Sequence, residues 1–195
     1  MGKKGQLYVF TGPSGTGKGT ILGQVLEQDK NVFLSVSATT RAPRDGEQDG
    51  VHYYFLTHEA FEEKIKQGAF LEYAQYVGNY YGTLEAPVDQ QLAQGRDVVL
   101  EIEVQGAMQI HNKRPDAVMV FVAPPSMDEL ERRLRGRGTE SDEKVQGRLQ
   151  TARQEMGFAN RFDYIITNDR LEDAVADLLA VLAAERCRNR DKLDK

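Results

Sequence analysis

The chain has 195 residues, 40% of them hydrophobic, which suffices for one well-buried core with a small inserted lobe and is too little for two ordinary domains. A formal net charge of -5 and a pI near 5.3 exclude a generally nucleic-acid-binding surface and leave open only a local basic cleft for a small polyanion. The lone cysteine, Cys187, excludes an intramolecular disulfide framework and a cysteine-based zinc site, and no apolar run approaches the length of a signal-peptide core or membrane span, so the cytoplasm is the expected compartment.

In chain order, Leu7–Phe10 is the first short run of β-branched and aromatic residues, the pattern of a strand covered on both faces. A glycine-rich segment follows and opens a helical pattern. Val32–Val36 is the second expected strand. From Thr39 to Thr83 the rhythm breaks: turn chemistry at Pro43–Gly46, an aromatic strand-like run at His52–Leu56, a short helix from about Thr57 to Gln67, and an aromatic cluster at Tyr73–Tyr81. This stretch reads as a small α+β insertion. Strand-like runs return at Val98–Val104, Val118–Val122 and Tyr164–Ile166. Helices are expected from Ser126 to Leu134, where Ser126 and Glu129 form a capping pair, from about Asp142 to Gly157, and from Leu171 to about Arg186. Strands alternating with helices imply an α/β fold with a parallel, doubly wound sheet.

The strongest signal is Gly12-Pro13-Ser14-Gly15-Thr16-Gly17-Lys18-Gly19-Thr20, placed between the first strand and a helix as a phosphate-binding loop requires. Its glycines let successive backbone N–H groups point inward, the helix N-terminus adds partial positive charge, and Lys18 reaches the outer phosphates. The residue after the lysine, usually Ser or Thr, is Gly19, so the hydroxyl that normally touches a magnesium ion is either supplied by Thr20 or absent. The motif that reads the base in a GTPase is missing, and a motor ATPase would be larger. A small kinase remains, and it must hold a second phosphate. Arg41 and Arg44, directly after the second strand, can fork onto one monophosphate, with Tyr53 and Tyr81 as phenolic donors.

Glu101 and Glu103, two apart in an apolar strand, project on one face near its C-terminal end, where ligands of doubly wound sheets gather. An arginine-dense segment surrounds Gly136 and Gly138: Arg132 and Arg133 are expected on the solvated face of their helix, while Arg135, Arg137 and Arg148 are candidates for neutralising a transferring phosphoryl group. His52, His58 and His111 have no ligand spacing and read as surface or structural residues.

Together the phosphate loop, Ser37–Arg44, Gly46-Glu47, Glu72, Gly78–Thr83, Glu101–Gly106 and Arg135–Thr139 resemble guanylate kinase across about residues 5 to 186. The resemblance implies ATP plus GMP giving ADP plus GDP with Mg2+, on a P-loop core (5–38, 84–125, 160–186), a GMP-binding lobe (39–83) and a helical lid (126–159). It assigns the GMP phosphate to Arg41, Arg44, Tyr53 and Tyr81, and the guanine to Ser37, Glu72, Thr83 and Glu103. Glu101, with Thr20, is expected at the metal; Asn168 matches the family's adenine loop by position. The family often carries aspartates where this chain has Glu101 and Glu103. ATP and GMP are thus the expected partners, with no nucleic acid or membrane and a monomer or homodimer open. The alternative reading is a non-catalytic guanylate-kinase-like binding module, which typically loses the phosphate loop and lid arginines that this chain retains.

Overall fold

A computed structural model describes residues 4–136 and 141–188. Its elements in chain order are β1 (Leu7–Thr11), α1 (Lys18–Gln28), β2 (Val32–Leu34), β3 (Ala38–Thr39), β4 (Tyr54–Phe55), α2 (His58–Lys66), β5 (Phe70–Tyr76), β6 (Asn79–Leu84), α3 (Glu85–Ala93), β7 (Asp97–Glu101), α4 (Val104–Lys113), β8 (Val118–Ala123), α5 (Met127–Gly136), α6 (Asp142–Met156), β9 (Tyr164–Thr167) and α7 (Leu171–Cys187). A single 3-10 turn, Ala159–Arg161, precedes β9. The architecture is α/β, a parallel sheet flanked by helices. The chain divides into two compact units, Met1–Thr11 with Asn31–Met119, and Gly12–Lys30 with Val120–Lys195.

In the first unit β7 lies between β2 and β1, both parallel to it, with Leu7 beside Val98, Phe10 beside Glu101 and Val32 beside Asp97. Leu7 to Thr11 and Asp97 to Leu100 are buried throughout, as strands covered on both faces must be. The expected strand Val98–Val104 stops at Glu101. The hydrogen bond from Ile102 N–H to the Phe10 carbonyl ends the ladder, and Val104, Ala107 and Ile110 then recur at helical spacing as the buried face of α4. Glu103 is therefore the residue before the helix, not a strand residue. β2 likewise ends at Leu34 rather than Val36. Helices α3 and α4 go beyond the elements legible in the sequence: α3 buries only Val88 and Leu92, and the start of α4 is masked by the apolar run it shares with β7.

The insertion is a four-stranded sheet in the order β4-β3-β6-β5, with α2 packed on it. Thr57 caps α2 by accepting from Ala60 N–H at 3.1 Å, Glu59 occupies the first turn, and Lys64 and Lys66 the last, so charge and cap agree with the helix dipole at both ends. Phe61, fully buried, stacks between Phe70 and Tyr80 at centroid separations of 4.2 and 5.1 Å. β5 and β6 form a hairpin closed by Val77 and Gly78, both at positive φ (47° and 77°), the arrangement whose twist suits a two-residue turn. A β-branched valine is a poor occupant of that conformation, so the tip stores backbone strain.

In the second unit α1 packs against α7, where Arg186 pairs with Asp29 at 2.7 Å. β9 runs parallel to β8, with Val120 beside Tyr164. Helices α5 and α6 meet through Leu130, Leu134, Val145, Leu149 and Ala152, all at most 1% exposed. Ser126 caps α5 by accepting from Glu129 N–H at 3.1 Å; the Glu129 carboxylate turns instead to Arg132 and Arg133, so the capping pair forms in one direction.

Candidate active site

In the second unit the segment Gly12 to Thr20 wraps as a phosphate loop. Three of its glycines hold conformations closed to other residues: Gly12 at φ 145°, Gly15 at 93° and Gly17 at 86°. At Gly12 a Cβ would stand 2.2 Å from the Val122 carbonyl oxygen, which no side chain survives. Thr16 closes the loop on itself, its hydroxyl donating to the Pro13 carbonyl at 2.8 Å. Gly17 precedes α1 with no side-chain cap, and the first turn of α1 contains no acidic residue, so its N–H groups and partial positive charge are left for an anion. Lys18 Nζ donates to the carbonyls of Gly12 at 2.6 Å and Pro13 at 3.1 Å, folded back over the loop. Gly19 and Thr20 lie exposed on the first turn of α1.

Asn168, 6% exposed, donates its side-chain amide to the Thr16 carbonyl at 2.7 Å. Its own backbone carbonyl accepts from Arg133 at 2.9 Å, and Arg133 is held from behind by Glu129 at 2.7 Å. Arg133 is thus a tether between α5 and the loop after β9, which corrects its assignment to the solvated face; Arg132, 76% exposed, conforms to that assignment. The two guanidinium groups hold the Glu129 carboxyl down to about 2. Arg148, on α6, donates to the Ser14 hydroxyl and so joins the loop. Arg135 does not: it pairs with Glu131 at 2.8 Å and with Asp142, bracing α5 against the start of α6. Arg137 lies outside the described residues.

In the first unit Ser37, Tyr53, Glu72, Tyr81, Glu101 and Glu103 line one cavity of about 300 Å³, together with Ile102, Gln105 and Gly106. Glu72 is 6% exposed and accepts from the Thr83 hydroxyl at 2.7 Å. Burial pushes its carboxyl up; the hydroxyl and backbone N–H of Thr83 pull it back down, and the nearby Glu103 charge pushes it up again. Glu101 closes β7 and Glu103 precedes α4, both exposed at the cavity mouth, so the two carboxylates share a cavity although strand alternation does not place them there.

Arg41 lies 5.4 Å from the Tyr53 ring centroid; its guanidinium is raised by the hydrogen bond to Glu47 first, against desolvation, and by the Tyr81 hydroxyl to a smaller extent. Its guanidinium forks onto Glu47 at 3.0 and 2.9 Å, and Glu47 also accepts from Arg44 N–H at 2.8 Å. The Arg41 hydrogen bond, then that N–H, holds the Glu47 carboxyl down to about 2. The Arg44 side chain is exposed to solvent. Glu47 is the member of this site that the sequence reading did not assign: its offset of six from Arg41 matches no regular element, and only the turn at Gly46 (φ 84°) returns it.

Among the described residues no group of three or more His, Cys, Asp or Glu side chains is arranged to hold a metal. A hard ion taken mostly by phosphate oxygens and water asks only a hydroxyl or one carboxylate of the protein; the second unit offers the exposed Thr20 and the first unit the exposed Glu101.

A family model described as Guanylate kinase matches residues 4–185. The chain belongs to the guanylate kinase family. It is 54% identical over 188 residues to a guanylate kinase of Thermus thermophilus, covering 96% of this chain and 84% of that one. It is 50% identical to a guanylate kinase of Desulfitobacterium hafniense, covering 96% and 94%. The crystal structure of guanylate kinase from Anaplasma phagocytophilum superposes with a TM-score of 0.75 at 31% identity, covering 96% of this chain and 89% of that one. This member of the guanylate kinase family has both a phosphate loop and an acidic, tyrosine-lined cavity. No described helix is long and apolar enough to cross a membrane.

Proposed function

We propose that the protein transfers the γ-phosphoryl group of ATP to GMP, and to dGMP, giving ADP and the nucleoside diphosphate. Glu72 carries the reading. Guanine offers N1–H and N2–H donors on one edge, which an ionised carboxylate accepts as a pair, whereas adenine offers an acceptor at N1. A buried carboxylate already braced by Thr83 leaves an adenine mispaired, at a cost of several kcal/mol. Ser37 and Glu103 complete the base contacts, and Arg41, Arg44, Tyr53 and Tyr81 take the phosphate.

The donor phosphates fit the loop from Gly12 to Thr20, with Ser14, Gly15, Thr16, Gly17 and Gly19 supplying N–H groups and Lys18 leaving its loop carbonyls for the outer phosphates. Asn168 holds the loop in shape beside the adenine. Arg148 and Arg137, joined by Arg135 once it exchanges Glu131 and Asp142 for the substrate, neutralise the charge that spreads over the phosphoryl oxygens, and positioning of the two anions supplies most of the rate. No general base is required, because the acceptor phosphate is already ionised. When bound, Mg2+ held with the help of Thr20 and Glu101 supplies further neutralisation of the β- and γ-phosphates. The division into core (5–38, 84–125, 160–186), GMP lobe (39–83) and lid (126–159) belongs to the same proposal, as do a cytoplasmic location and a role in purine nucleotide metabolism.

The test is coupled ADP release with ATP and Mg2+, comparing GMP, dGMP, AMP, CMP, UMP and no acceptor. Rapid release with GMP and dGMP alone supports the reading. Activity with AMP would remove Glu72 as selector, and silence with every acceptor would favour a binding module.

A further inference from the structure

Helix α4 meets strand β5 along one stripe. Gly106, Gln109 and Lys113 follow at spacings of three and four, hence on one helix face. Lys113 Nζ donates to the Phe70 carbonyl at 2.7 Å. The Gln109 side-chain amide donates to the Tyr73 carbonyl at 3.1 Å and accepts from Tyr73 N–H at 3.3 Å, the pair of bonds a neighbouring strand would make with the edge strand β5. At the N-terminal end of the stripe a Cβ on Gly106 would stand 2.7 Å from Glu72 Oε2, 3.3 Å from Cδ and 3.5 Å from Cγ.

Nothing in the backbone asks for glycine there. Gly106 is buried inside α4 at ordinary negative φ, a place where glycine weakens a helix relative to alanine. What it provides is space. Thr83 fixes Oε1 of Glu72 from one side; the missing side chain of Gly106 admits Oε2 on the other.

We infer that Gly106 is a specificity-determining position: the room it leaves sets where the Glu72 carboxylate stands and hence where the guanine edge is read. The inference rests on the reading of Glu72 as guanine selector. Because the atom nearest an added methyl is the end of a flexible side chain, the carboxylate swings away while the backbone stays. Fold and specificity therefore separate.

Four variants test this, Gly106→Ala, Glu72→Gln, Glu72→Asp and the double Gly106→Ala/Glu72→Asp, each assayed for kcat and KM with GMP and IMP, for KM with ATP, and for Tm. Gly106→Ala is expected to raise KM for GMP about tenfold or more and to narrow the preference for GMP over IMP, with KM for ATP unchanged and Tm equal to or above the parent. In the double variant the shorter carboxylate withdraws from the methyl, and part of the lost preference returns relative to Gly106→Ala alone. Unchanged KM and preference in Gly106→Ala would overturn the inference. If Gly106→Ala fails to fold, a folded double variant supports the contact and an unfolded one overturns it. A Glu72→Gln variant that keeps the GMP preference would overturn the selector reading itself, a result distinct from failure at Gly106.

Discussion

The side-chain amide of Asn168 reaches the Thr16 carbonyl at 2.7 Å, binding the loop after β9 to a phosphate loop 152 positions earlier in the chain. Behind it stand Arg133 and Glu129, so the loop's shape depends on three residues beyond its own motif. Asn168→Ala leaves a buried carbonyl without its donor, a loss of about 1–3 kcal/mol. Thermal unfolding should register that loss, and KM for ATP should rise several-fold while KM for GMP stays close to the parent value.

Lys18 bonds to its own loop carbonyls, and its removal leaves the packed strands and helices intact. Lys18→Ala is expected to lower turnover by at least about 100-fold through loss of a preorganised charge, with a circular dichroism spectrum and Tm like the parent's. Near-normal turnover would remove the phosphate-loop assignment.

Glu47 holds Arg41 and the backbone of Arg44 together, so Glu47→Ala should loosen the proposed phosphate clamp, raising KM for GMP about tenfold through loss of a forked, charge-assisted pair and sparing KM for ATP. The pair also has an acid signature. The Glu47 carboxyl is depressed from 4.5 to about 2, so the stability it contributes is present above 4.5 and is lost as pH falls toward 2. Acid unfolding of Glu47→Ala followed by fluorescence should lack that part of the parent's pH dependence.

Glu72 behaves in the opposite sense. Burial raises its carboxyl, so its contribution to stability is full below the ordinary carboxylate range and is lost as pH rises through the raised value. Glu72→Gln should accordingly lose less stability than the parent between acid and neutral pH. The proposed pairing of Glu72 with guanine needs the ionised form, so on that proposal KM for GMP in the parent should rise as pH falls through that raised value. In Glu72→Gln the corresponding inflection should vanish, leaving only titration of the GMP phosphate.

The phosphate loop is legible in the sequence because it is contiguous: glycines, lysine and helix start follow one another in register, and the loop conformation is a local property. Tyr53 and Tyr81 are legible as phenolic partners of the arginines, but Ser37 and Glu72 join the set only through family resemblance, since a surface glutamate and a buried one look alike in a string. Arg133, Glu47 and Gly106 are not legible. Arg133 is one of two adjacent arginines on an exposed-looking turn of helix, distinguished by the distant Asn168 carbonyl. Glu47 is placed by a turn, and Gly106 by a carboxylate 34 positions earlier in the chain, measured from residue 72 to residue 106. The boundary at Glu101 is hidden for a related reason: Val98–Val104 is uniformly apolar apart from its glutamates, and the switch from strand to helix spacing shows only in Ala107 and Ile110 beyond it.

The pairing of β1 and β2 with β7 bears on how the chain is made. Leu7 finds Val98, and Phe10 finds Glu101, only after roughly 90 further residues have been synthesised, on the order of 5–20 seconds at the ribosome. During that interval the wholly apolar run Leu7–Phe10 has no strand of its own unit to bond with. A nascent chain stalled before β7 would thus present an unsaturated edge, and β7 is the first segment of its own unit that can bond to this strand.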